Sequence, residues 1–179
     1  MKGEEQEVKQ AAQDIGKSLG GDVLQNLSAL VDNVLLQGMP FKDALGVSNA
    51  KIEAIYSQAY QMYNSGKFTD AIQLFRLLLV LEPMESKHYM GLAACQHMIK
   101  EYENAIKAYG FAGIIDPQTP VPFFHASDCY LQMRDKTSAI IMLDMAVQRA
   151  GEHPEYQTLK DRALMMITSL KKEIKATQA

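Results

Sequence analysis

The sequence predicts an all-α fold: three consecutive helical hairpins with a helical arm before them and a capping helix after them. Three observations carry that expectation. Residues of matching size recur in phase every 34 positions along much of the chain. Glycine and proline are scarce, at 11 and 6 of 179 residues, which disfavours a turn-rich β fold. Both segments outside the recurring part carry apolar residues at helical spacing.

Taken in order, residues 1–20 are polar, with acidic Glu4, Glu5 and Glu7. They lack the basic head and apolar stretch of a secretory leader, and their composition does not call for order. An arm follows over 21–51. Asp22, after Gly20 and Gly21, is a good N-cap. Val23, Leu24, Leu27, Leu30, Val31, Val34 and Leu35 then follow at helical spacing, and Gly38-Met39-Pro40 ends the helix. Residues 41–45 form a short helical turn or a loop. The arm is more apolar than a lone helix can hide. Leu24, Leu27, Leu30, Val31 and Val34 are therefore expected either to form a homodimer surface or to pack on the first hairpin.

The hairpins span 52–85, 86–119 and 120–153. Ala71, Ala105 and Ala139 keep the 34-residue step, as do Phe75, Tyr109 and Leu143, and Leu78, Ala112 and Ala146. Ala59, Ala93 and Ser127 share it, as do Pro83 and Pro117, with Gly151 in the third place. The small residues let two antiparallel helices approach closely. The large residue four positions after each alanine lies on the same face, one turn on. Proline stops the second helix. Phe68 and Tyr102 fill the turn before that helix, and Thr69 is a candidate cap for it. Lys136 breaks the aromatic column, so the third hairpin is expected to pack less well. Residues 154–179 hold the capping helix, with Leu159, Ala163, Met166, Ile167, Leu170 and Ile174 on one face and a basic end.

Several function classes are excluded. The charge balance, 18 basic against 21 acidic residues, offers no footprint for nucleic acid. The longest apolar runs, such as Leu77 to Leu81, are far short of a bilayer span, so direct membrane insertion is not expected. Cys95 and Cys129 share one column of the repeat and read as buried packing. His88, His97, His125 and His153 show no metal-ligand spacing. There is no phosphate loop and no nucleophile motif. No catalytic residue, metal or cofactor is expected.

The 34-residue helix-turn-helix period resembles the tetratricopeptide repeat, three of which stack into a right-handed superhelical array with a continuous core. In such arrays the first helices line a concave groove. The positions that resemblance assigns to the groove are Tyr56, Tyr60 and Tyr63, then Met90, Ala94 and His97, then Phe124, Asp128 and Leu131. The core alternative for the tyrosines is weaker, because Ile55, Ala59 and Met62 already supply a core face. Tyrosine suits a peptide groove, having an apolar face and a hydroxyl. The Lys, Asn and Arg that grip acidic C-termini in many such domains are replaced here by Tyr56 and Tyr60.

A narrower resemblance rests on Ala54-Ile55-Tyr56-Ser57-Gln58-Ala59-Tyr60 and Tyr63-Asn64-Ser65-Gly66-Lys67-Phe68. It continues in Met90-Gly91-Leu92-Ala93-Ala94-Cys95 and in Phe124-His125-Ala126-Ser127-Asp128-Cys129-Tyr130-Leu131-Gln132. With the arm, three repeats and C-terminal helix, these segments are similar to the class II chaperones of bacterial type III secretion. That resemblance implies a cytoplasmic bacterial chaperone. Its partners would be hydrophobic translocator proteins, held by an extended segment near their N-terminus, and it would work without a nucleotide. The alternative is a generic tetratricopeptide scaffold joining two folded proteins.

Overall fold

In the computed structural model, residues 29, 30, 32–36 and 38–178 are described, and all their regular structure is helical. The chain divides into two compact units, Met1–Glu53 with Val80–Glu82, and Ala54–Leu79 with Pro83–Ala179.

In the first unit, Asp32–Leu36 forms a π-helical turn and α1 covers Phe41–Ala44. Of the residues expected at a dimer surface, Leu24, Leu27 and Val31 lie outside the described residues, and Leu30 and Val34 are half-buried. The helical turn expected over 41–45 is α1, followed by Gly46 at φ +64°, a left-handed conformation that glycine adopts without steric cost. The Lys42 ammonium pairs with the Glu82 carboxylate and donates to Asn49 Oδ1 at 2.9 Å.

The hairpins are α2 (Asn49–Asn64) with α3 (Phe68–Leu81), α4 (Ser86–Met98) with α5 (Tyr102–Ile115), and α6 (Val121–Gln132) with α7 (Lys136–Ala150). A 3-10 turn, Pro154–Tyr156, leads into α8 (Gln157–Gln178). From α4 onward each helix packs against the next in chain order.

The four repeating columns behave alike. Ala59, Ala93 and Ser127; Ala71, Ala105 and Ala139; Phe75, Tyr109 and Leu143; and Leu78, Ala112 and Ala146 are all at most 2% exposed. Close approach explains the small residues. A Cβ added at Gly91 on α4 would lie 2.2 Å from the Phe75 ring of α3, so only a hydrogen fits there.

The three hairpin turns are also copies. Gly66, Lys100 and Arg134 hold one repeat position, and all have positive φ, at 76°, 65° and 62°. The next residue reaches back in each case: Lys67 N to Met62 O, Glu101 N to Gln96 O and Asp135 N to Tyr130 O, at 2.9 Å. This left-handed closure satisfies carbonyls that a helix end would leave open. The second helix then starts at Phe68, Tyr102 or Lys136, so the aromatic position is the first helical residue rather than part of the turn. Thr69 accordingly lies inside α3 and is not its cap.

The third hairpin is held in a different way from the other two. Asp135 is a true N-cap, accepting from Ser138 N at 2.9 Å. Lys136, expected to weaken the packing, reaches α8 and pairs with Glu173 Oε2 at 2.9 Å. Gly151, standing in the proline column, ends α7 at φ +49°. Its carbonyl accepts from the Lys160 ammonium, which also pairs with Glu152. Helix α8 lays Ala163, Ile167 and Leu170 against Ala139 and Leu143, closing the apolar end of the array.

Candidate functional face

The nine expected groove residues come from the first helices of the hairpins: α2, α4 and α6. None is fully buried, whereas Ala59, Ala93 and Ser127 on the same helices are sealed. The three tyrosines differ among themselves. Tyr56 is half-buried, its ring edge-on to Phe75 at 6.0 Å and tilted over His88 at 5.9 Å. Tyr63 is half-buried against Phe68, at 5.5 Å. Tyr60 is 54% exposed, a large aromatic surface in water on the helix whose next-door Ala59 has none.

On α4, Met90 is half-buried and packs against the cluster of Ala93, Ala105, Tyr109 and Cys129. Ala94, one helical turn on, is half-buried too. On α6, Phe124 and Leu131 are half-buried against the cluster that α8 completes. The face is thus not uniformly apolar. His97 Nε2 meets Asp128 Oδ2 at 3.2 Å, an ion pair when the imidazole is protonated. The His97 ring also lies edge-on to Tyr102 and Tyr109.

Sequence reasoning missed two cations. The Lys87 ammonium sits 5.0 Å over the Tyr56 ring, and the Arg162 guanidinium 5.4 Å over Phe124. Arg162 lies on α8, outside the repeat, so no column could point to it. His125 was also passed over. Its ring stacks on Tyr109 at 5.6 Å. The residue keeps an exposed edge, but partial desolvation of the ring against its neighbours pushes its pKa below the usual value, helped by the nearby His97 and Arg162 and opposed by Asp128.

Cys95 and Cys129 are sealed, and burial pushes their thiols up to about 11 and about 12. The same burial raises the Tyr109 hydroxyl. Such thiols stay protonated and are poor nucleophiles. A cavity of about 330 Å³ lies apart from the face, at the hairpin turns, between Lys100–Asn104 and Met133. Its lining mixes Lys100, Glu101 and Glu103 with Tyr102, Asn104 and Met133, and none of the nine face residues borders it.

Residues 52–84 and 86–118 match the tetratricopeptide repeat family. The fold and these two matched hairpins define the chain as a tetratricopeptide-repeat protein. Its relatives narrow that class. It is 34% identical over 125 residues to the low calcium response locus protein H of Yersinia pseudotuberculosis, covering 70% of this chain and 74% of that one. The type III secretion chaperone SycD of Yersinia enterocolitica, solved with a peptide of the translocator YopD, is 32% identical. It aligns with a TM-score of 0.67 over 71% of this chain and 97% of its own. PcrH of Pseudomonas aeruginosa, solved with the chaperone binding region of PopD, is 29% identical with a TM-score of 0.68, over 72% and 96%. The chain belongs to the family of type III secretion translocator chaperones.

Proposed function

We propose that this chain is a cytoplasmic chaperone of bacterial type III secretion that binds an extended segment of a hydrophobic translocator protein. The segment runs across α2, α4 and α6, contacting Tyr56, Tyr60, Tyr63, Met90, Ala94, Phe124 and Leu131. Masking its apolar residues keeps the translocator soluble until secretion. The observation that carries this reading is Tyr60, left 54% exposed beside a sealed alanine seam. The peptide-bound SycD and PcrH relatives support the same reading. A strand rises about 3.3 Å per residue, so a face of three first helices holds on the order of 8 residues. The chain acts by binding, without turnover or cofactor. Among the described residues no helix is long and apolar enough to cross a membrane.

Tyr60→Ala is the discriminating variant, because Tyr56 and Tyr63 also pack on Phe75 and Phe68 and would lose stability when cut. Tyr60→Ala is expected to keep its helical circular dichroism and to weaken binding of a translocator's N-terminal segment by about 2 kcal/mol, roughly 30-fold. Undiminished binding would overturn the reading. The arm is read as the homodimer contact, through Leu24, Leu27, Leu30, Val31 and Val34. Leu30→Asp should then shift the chain to monomer in sedimentation, and an unchanged dimer would exclude that contact.

A further inference from the structure

We infer that the end of the face formed by α6 and α8 is a carboxylate subsite, built by Arg162 stacked on Phe124, which reads an acidic residue in the bound segment. This rests on the function proposed above and adds a chemical requirement to it.

The geometry supplies a presented cation. Arg162 is exposed on α8, and its guanidinium carbon sits 5.4 Å over the Phe124 ring. The contact with the ring face restrains the guanidinium. Its N–H donors lie in the plane and stay available at the edge, in the fork that matches a carboxylate.

The acids around it are engaged elsewhere. Asp128 on α6 faces His97 at 3.2 Å. On α8, Asp161 accepts from Gln157 and Glu173 pairs with Lys136. Glu152, before α8, pairs with Lys160. Among the described residues none of these carboxylates bonds to Arg162.

His125 neighbours Phe124 and stacks on Tyr109, and Arg162 and His97 both oppose its protonation while Asp128 favours it. A chain of net charge −3 thus places a cation at the rim of its apolar face. Charge complementarity commits the occupant to an anionic side chain rather than to a wholly apolar strand.

The spacing follows from helix packing. The first helices are direct neighbours: Tyr56 of α2 meets His88 of α4, and His97 of α4 meets Asp128 of α6. At about 8–10 Å per helix, the Tyr60 and Phe124 ends lie roughly 16–20 Å apart. That is about five or six residues of extended chain. The segment should therefore pair apolar anchors with an Asp or Glu about five or six positions away.

The test uses the full chain and short fluorescein-labelled peptides in anisotropy titrations. Each peptide carries a leucine pair and either Asp or Asn about five or six residues from it, on the N- or the C-terminal side. Wild type should prefer Asp over Asn about threefold to tenfold in one of the two placements, with the preference shrinking in high salt. Arg162→Gln should abolish the preference and leave the Asn peptide's affinity unchanged, and Arg162→Lys should keep part of it. Equal binding of Asp and Asn peptides in both placements, or a preference that survives Arg162→Gln, would overturn the subsite alone. If no peptide binds in any form, the proposed function falls and the subsite with it.

Discussion

Two columns on the same three helices behave in opposite ways. Ala59, Ala93 and Ser127 are small and sealed, and they are interchangeable in role from one hairpin to the next. Tyr60, Ala94 and Asp128, one residue further along, are each at least partly exposed and share no chemistry: an aromatic ring, a methyl group and a carboxylate. The sealed column must repeat, because each hairpin packs on its neighbour through the same geometry and a larger side chain has nowhere to go. The presented column is free of that constraint. Its variation from aromatic at α2 to ionic at α6 gives a face with two ends rather than one uniform groove.

The strongest way to break this contrast is to cut the sealed side. Phe75→Ala should destabilise by about 3–5 kcal/mol in urea unfolding, by far the largest effect of these variants. Gly91→Ala presses a methyl group into the same ring, and should cost about 1–3 kcal/mol. Combining Gly91→Ala with Phe75→Leu should cost less than the sum of the two single changes, since the smaller side chain makes room. Strict additivity would mean that the close approach is not what excludes Cβ.

The turns offer a smaller and more regular comparison. Gly66, Lys100 and Arg134 share one left-handed conformation, yet only the first is glycine. Gly66→Ala should destabilise by about 1–2 kcal/mol, and Lys100→Gly or Arg134→Gly should stabilise by up to about 1 kcal/mol, read as shifts in the thermal midpoint. A destabilising Lys100→Gly would mean that its side chain contributes more than the backbone relief.

The smallest effect is a pH dependence from the presented side. The folded pKa of His125 lies below its unfolded value near 6.5, so between the two the unfolded chain binds more protons. Its contribution to stability is complete above about pH 6.5 and is lost as pH falls from there through the folded value. His125→Gln should flatten the urea-midpoint profile in that window. Asp135, Glu152 and Glu173, all held below their usual pKa by hydrogen bonds, act in a separate window below about pH 4.5. A profile unchanged between pH 5 and 7 in His125→Gln would remove this assignment.

Much of the array was legible in the residues because stacking imposes periodicity. The 34-residue phase named the buried columns Ala71, Phe75 and Leu78 with their repeats, and helical spacing marked Ala163, Ile167 and Leu170 as the covering face of α8. The helix starts were less legible. Thr69 looked like a cap by residue type, but the left-handed closure at Gly66 starts α3 at Phe68, ahead of it. Lys136 read as a defect because its partner, Glu173, sits in another helix.

The sequence by itself determined the all-α class, the repeat and its sealed columns of small residues, since local helical spacing and a fixed period are written along the chain. Only the tertiary structure decided which tyrosine stays exposed, and that Arg162 sits on Phe124 while Asp128 faces His97. Those outcomes depend on which side chains meet across helices distant in sequence. A one-dimensional pattern names each partner's type but not the distance between them.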